Sequence, residues 1–201
     1  MDNKQIKNDF FQMASNVNVS YIVSFHEYVR DKLEDKESEL SDQLNNFSGS
    51  RSERVDLLVE HETFLKMYPK QLSTNTFLLL YSHLEEHIHH IWSIYCPEIN
   101  ITGNNKGSIS RYKPVFKNLY KNDLSNSNAW EFINECEKLR NCILHANGRI
   151  DLCKKPDEID RIIKKYPNLL FVESKKIFID YDFVSKFFKI IQEIIKRIET
   201  L

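Results

Sequence analysis

Glycine and proline are scarce in this 201-residue chain, at four and five residues. That scarcity argues against both a disordered chain and a β protein built from many tight turns. No apolar run approaches the roughly 18 residues needed to cross a bilayer. The opening MDNKQIKNDFF also lacks the basic-then-apolar layout of a secretory signal, so a cytoplasmic protein without membrane contact is expected. Cysteine is sparse too, and Cys96, Cys136, Cys142 and Cys153 show no C-x-x-C spacing. Two of them share one predicted helix, which favours reduced packing thiols over disulfides or zinc ligands. No glycine-rich phosphate loop and no Ser/His/Asp arrangement presents itself, and no cofactor is expected.

Hydrophobic residues make up 41% and charged residues 28% of the chain, which suits an ordered, mainly helical protein of one domain, or one domain with an arm. The net charge of -1 conceals an asymmetry: residues 1–100 carry 9 Lys+Arg against 16 Asp+Glu, and residues 101–201 carry 19 against 13. A basic C-terminal half suits phosphate-bearing partners, although so mild a split is also common on solvated surfaces.

Helical periodicity organises most of the chain. Residues 15–45 predict a long charged helix, apolar on one side in its first half and acidic almost all round in its second, with that far end standing in solvent. NNFSGS breaks it. A second helix is predicted from Ser52, with a serine cap, and Pro69 closes it or opens the next. In STNTFLLLYSHLEEHIHHIWSIYC, Phe77, Tyr81, Leu84, Ile88, Ile91 and Tyr95 form the apolar stripe of a central helix. After the loop PEINITGNNKGS, RYKPVFKNLY predicts a short helix. LSNSNAWEFINECEKLRNCILHAN predicts a second central helix, capped by serine or asparagine at its start and by Gly148 at its end. A short helix after Pro156, a hairpin turning at Ser174 and Lys175, and a closing amphipathic helix complete the chain.

One residue does not suit its helix. Counted in helical steps, the inward seam of the second central helix falls on Ala129, Ile133, Cys136, Arg140, Ile143 and Asn147. Arg140 stands in the middle, and burying a guanidinium unpaired costs several kcal/mol, so it requires an anion. Arg140, Asn141 and His145 spell R-N-x-x-x-H, with Asn141 and His145 i,i+4 on one flank. Arginine grips phosphate oxygens with a forked donor, asparagine adds uncharged donors and an acceptor, and an imidazole passes protons near neutral pH. Those are parts for handling a phosphodiester. The plain structural alternative is a capped helix end, with Arg140 salt-bridged inside the bundle, Asn141 exposed, and His145 favourable against the C-terminal dipole.

The signature RNCILH, the following HANGRI, the upstream LLLYSHLEEHI, and a short helix, a hairpin ending in IFID and a closing amphipathic helix resemble the HEPN superfamily. The resemblance covers residues 70–201 as a HEPN-like core, with residues 1–69 as an N-terminal helical arm packed on it. It implies a mainly α fold: a HEPN-like helical bundle with a small C-terminal β-hairpin. It further implies a metal-independent endoribonuclease acting as a toxin or anti-phage abortive-infection effector, with Arg140, Asn141 and His145 catalytic. In the implied mechanism a ribose 2′-OH attacks its neighbouring phosphate and leaves a 2′,3′-cyclic phosphate. His145 is the base or acid, Arg140 clamps the phosphate, and Asn141 positions the scissile group or the histidine. One imidazole per chain cannot easily be both acid and base. The dimers formed by family members therefore imply a homodimer with a composite site, an RNA substrate, and an antitoxin or regulatory partner protein. Glu85, on the flank of the upstream helix near Tyr81 and Trp92, is placed to hold Arg140 between turnovers. The alternative within the same resemblance is a non-catalytic module that binds nucleotide, RNA or protein.

His83, His87 and His90 raise a rival, because H-x-x-E-H is also a zinc-protease pattern. No third protein ligand can be named, and a histidine-rich face is commonly solvated, so no metal is expected. Core-spaced aromatics such as Trp92, Trp130 and Phe187 read as packing. The pairs Lys154-Lys155, Lys164-Lys165 and Lys175-Lys176 read as solvated faces rather than an RNA track.

Overall fold

The computed structural model describes residues 3–101, 109–119 and 128–198. In chain order these form α1 (Asn3–Asn45), α2 (Arg51–Glu62), α3 (Tyr68–Tyr95), α4 (Lys113–Leu119), α5 (Asn128–Ala146) and α6 (Pro156–Lys165). The hairpin strands β1 (Leu170–Glu173) and β2 (Lys176–Ile179) and the closing helix α7 (Tyr181–Ile198) follow. The protein is thus mainly helical, with a small antiparallel hairpin near its C-terminus. Most of the predicted loop after Pro97 and the caps predicted before Asn128 lie outside the described residues.

Local chemistry sets the helix boundaries. Ser50 caps α2 through a reciprocal box: its hydroxyl accepts from the Glu53 N–H at 3.3 Å, and Glu53 Oε2 accepts from the Ser50 N–H at 2.7 Å. The expected cap at Ser52 is therefore displaced by two residues, because the carboxylate needed to close the box stands three positions after Ser50. Pro69 falls in the first turn of α3, where a missing N–H costs nothing. A π-helical turn, Thr63–Met67, joins the two helices.

α1 runs along α3 and fixes the histidine stripe. Ser15 Oγ lies 2.9 Å from His83 Nε2 and 2.8 Å from His87 Nδ1, and His26 Nδ1 pairs with Thr76 Oγ1 at 2.7 Å. Phe11 stacks on His90 with ring centroids 3.5 Å apart. Val19 belongs to the same buried cluster as Phe77 and Tyr81, so the arm shares the core. The acidic second half of α1 does not stand free in solvent as expected. α2 doubles back beside it, Leu40 is buried, and His61 pairs with Glu37 at 2.9 Å.

An aromatic cluster joins the central helices at the core. Phe77 of α3 lies 5.4 Å from Phe187 of α7, and Phe132 of α5 lies 5.3 Å from Phe183 of α7, centroid to centroid. Such pairs add directional packing to the burial of large apolar surfaces. No disulfide joins the four cysteines, all of which lie among the described residues. Cys136 is buried, which pushes its thiol well up, and Cys142 is pushed up to about 12 by burial and then by its contact with Cys153. These are inert packing groups.

α5 stops where the backbone turns left-handed at Asn147 (φ 51°) and Gly148 (φ 75°), with the Gly148 N–H donating to Cys142 O at 3.1 Å. A Cβ at Gly148 would lie 3.3 Å from Ile177 O, because the hairpin docks there and the Ile177 N–H donates to Gly148 O at 3.0 Å. The hairpin turns at Ser174 (φ 49°) and Lys175 (φ 65°) as expected, the two left-handed residues of a tight two-residue turn. Asp180 Oδ1 accepts from the Asp182 N–H at 2.9 Å and starts α7.

Two outcomes follow. Gly148→Ala should lower urea stability by about 1–3 kcal/mol, combining left-handed strain with crowding at the hairpin; an unchanged midpoint would contradict the cap. Burial, reinforced by the neighbouring His83 and His90, holds the His87 imidazole at a pKa of about 3. The unfolded chain therefore binds a proton that the folded chain refuses between its ordinary value near 6.5 and about 3. Stability should fall as pH drops through that window, and the slope should flatten in His87→Phe.

Candidate functional site

The inward face of α5 differs from the expected seam. Phe132, Ile133, Cys136, Leu139, Cys142 and Ala146 are buried, whereas Arg140 and Ile143 are partly buried and Asn147 is exposed. The helix is rotated so that Leu139 enters the core and Arg140 lies at its rim, facing α3. Its guanidinium rests 5.7 Å from the centroid of the Tyr81 ring, and Nη1 donates to Asn141 Oδ1 at 2.9 Å. A ring face and a neutral amide satisfy part of a cation, but they supply no charge.

The anion predicted for Arg140 is therefore not found in an ion pair. Among the described residues no carboxylate stands within salt-bridge distance of it. Glu85 of α3 acts on it at longer range. Burial raises the Glu85 carboxyl above its ordinary value, opposed by Arg140 and then Arg111, and reinforced by Glu137. Glu85 is thus electrostatically coupled to Arg140 without clasping it.

The sequence reading did not single out the groups around this pair. Arg111, on the short 3₁₀ turn Ile109–Tyr112, donates from Nη2 to the Tyr112 hydroxyl at 2.6 Å and leaves a buried Nε without a partner among the described residues. Tyr112 OH also meets His89 Nδ1 at 2.9 Å, and Ser110 Oγ donates to Glu137 Oε2 at 3.1 Å. Among the described residues the buried Tyr81 hydroxyl has no hydrogen-bond partner, and its pKa is raised by burial, then by Glu137 and Glu85, against Arg140. Glu137, Glu85 and Arg140 thus act on Tyr81 where α3 and α5 meet, and Arg111 of the 109–112 turn acts on Glu85 and Tyr112 beside them. Nothing local marks Arg111, which lies 29 residues upstream of Arg140.

His145 is placed differently. It is exposed on the last turn of α5, with no hydrogen bond or ion pair among the described residues. Five residues of helix turn it about 140° from Arg140 and four turn it about 40° from Asn141. The structure joins Arg140, Asn141 and Tyr81, places Glu85 within electrostatic reach, and leaves His145 facing solvent beyond them. The histidine stripe on α3 is taken up by Ser15 and Phe11 of the arm. Among the described residues, no three His, Cys, Asp or Glu side chains group as metal ligands.

No helix among the described residues is long and apolar enough to cross a membrane. Comparison with protein-family models, with curated proteins and with solved structures finds no match to this chain.

The coupling of Glu85 to Arg140 has a measurable sign. In a carbon-detected NMR titration the Glu85 carboxyl should titrate above the ordinary value near 4.3, and Arg140→Met should push it higher. A downward movement in that variant would contradict the coupling.

Proposed function

We propose that this protein is an endoribonuclease of the HEPN type, cleaving RNA through attack of a ribose 2′-OH and serving as a toxin or abortive-infection effector. The observation that carries the reading is the state of Arg140: partly buried, oriented by Asn141 and Tyr81, and without an ion-paired carboxylate among the described residues. A phosphodiester oxygen is the anion such a guanidinium suits, since its forked donors match phosphate geometry and phosphate charge offsets the desolvation.

In the reaction, a base removes the 2′-OH proton as the O2′–P bond forms. The P–O5′ bond breaks, an acid protonates the departing O5′, and the products carry a 2′,3′-cyclic phosphate and a 5′-OH. Because the nucleophile belongs to the substrate, no metal-bound water is required. Arg140 stabilises charge gathering on the phosphorane oxygens, Asn141 holds Arg140 in place, and His145 moves the proton. The roughly 140° between Arg140 and His145 keeps them apart within one chain. A second copy facing the exposed side of α5 would bring a partner imidazole to each arginine and supply base and acid together. The same separation favours a second reading, in which the chain binds nucleotide, RNA or protein through the arginine face without cutting. An antitoxin or other regulatory protein is a further proposed partner, and a cytoplasmic location accords with an RNA target.

Incubation of the purified protein with RNA in EDTA separates the two readings. The nuclease predicts 2′,3′-cyclic phosphate ends, a loss of roughly 10²–10⁴-fold in rate for His145→Ala, and a loss of roughly 10²–10³-fold for Arg140→Ala. DNA should be spared because it lacks the attacking hydroxyl. RNA bound but never cut would select the binding module.

A further inference from the structure

Between the first half of α3, the end of α5 and the hairpin lies a cleft of ≈ 390 Å³ that the proposed chemistry does not use. Its volume falls in the range of small-molecule pockets, about 300–1,000 Å³. One wall is an amide pair: Gln71 Nε2 donates to Asn75 Oδ1 at 3.0 Å. That bond orients both groups while leaving Asn75 N–H donors and the Gln71 carbonyl for a ligand. Leu78 on the same helix, Ile143 of α5 and Ile177 of β2 add an apolar lining, which suits a flat, weakly polar ring.

Charge distinguishes this cleft from the surrounding basic surface. Lys176 lines it, with its ammonium 3.5 Å from Asn147 Oδ1 and 5.6 Å from the centroid of the Phe178 ring. Among the described residues Lys176 has no carboxylate partner, whereas Lys70, which also meets the Phe178 ring, pairs with Glu173, and Lys175 reaches Asp151 at 3.8 Å. Arg140 shares the cleft-facing side of α5 with Ile143, about 4.5 Å along the axis at a rise of 1.5 Å per residue, and the helix ends one turn further on at Ala146. The groove between α3 and α5 therefore carries an unneutralised cation at each end, with amides and an apolar wall between them.

We infer that this cleft is a nucleotide subsite that takes one base of an RNA strand, with Lys176 on the adjoining phosphate. The inference rests on the proposed role of Arg140 as the clamp of the neighbouring phosphate, and it makes the protein selective for the base beside the cut. Side-chain amides pair with base edges, and single-stranded bases are the part of RNA that proteins read in this way.

Binding to the full-length chain tests the subsite without any cleavage. Isothermal titration would compare adenosine 5′-monophosphate, uridine 5′-monophosphate and ribose 5-phosphate, then a 2′-O-methyl trinucleotide that cannot be cut. The better of the two nucleotides should bind at least tenfold tighter than ribose 5-phosphate, and the trinucleotide tighter than either. Asn75→Ala, on an exposed position, should weaken nucleotide and trinucleotide at least tenfold. Leu78→Trp, which fills the cleft, should do the same while circular dichroism and melting temperature report on its fold. Equal affinity for both nucleotides and ribose 5-phosphate, or indifference to Asn75→Ala, would overturn the subsite. A mononucleotide that binds while the trinucleotide is excluded would overturn the RNA strand as its occupant. Base-dependent binding without cleavage would sink the nuclease and keep the subsite. Cleavage with binding and base preference unmoved by Asn75→Ala would do the reverse.

Discussion

A guanidinium held at the rim of a helical core, against a tyrosine ring and beside an asparagine amide, is the constraint on which the functional account depends. Arg140 cannot release its proton. Glu85, the carboxylate of α3 coupled to it, is itself raised by burial, shared with Arg111 and repelled by Glu137. A cation so placed is oriented but not fully compensated. Closure by an internal carboxylate would have made it a structural strut. On the proposed reading its anion comes from outside the chain, and the forked geometry of the guanidinium suits a phosphate of RNA.

The rest of the fold holds that arginine still. The aromatic cluster of Phe77, Phe132, Phe183 and Phe187 locks α3, α5 and α7 together, which sets the spacing of Tyr81 and Arg140 across the α3–α5 groove. The left-handed pair Asn147 and Gly148 stops α5 and joins its end to β2 through the Ile177–Gly148 hydrogen bond, so the hairpin becomes the far wall of the same groove. On the other side of α3, the arm shares the core through Val19 and occupies the histidine stripe through Ser15 and Phe11. One helix thus serves the arm on one side and the arginine on the other.

Much of this was legible from residue spacing. The two central helices, the glycine at the end of α5, the turn at Ser174 and Lys175, and the closing helix all carry local signals: apolar period, left-handed residues, caps. What spacing could not supply was rotation about the α5 axis. Counting from Ala129 placed Arg140 in the seam, but Leu139 and Cys142 offer a competing stripe, and it is this stripe that enters the core. The second helix began two residues early because the capping partner, Glu53, decides which serine serves. The acidic half of α1 met α2 rather than water, since a helical hairpin is a long-range contact that charge pattern alone does not announce. Arg111 was invisible for the same reason, reaching the site from a distant segment, and Lys176 was read as part of a solvated lysine pair because spacing does not announce that the hairpin closes the α3–α5 groove.

The most direct measurement is the affinity of an uncleavable 2′-O-methyl oligonucleotide for wild type and for Arg140→Met across a range of salt concentrations. If Arg140 awaits a phosphate, the variant should bind at least tenfold more weakly, and the slope of log affinity against log salt should be shallower by roughly 0.7, the value for one contact to a single strand. Equal affinity and an equal slope would mean that Arg140 meets no phosphate, and the account would fail at its first step.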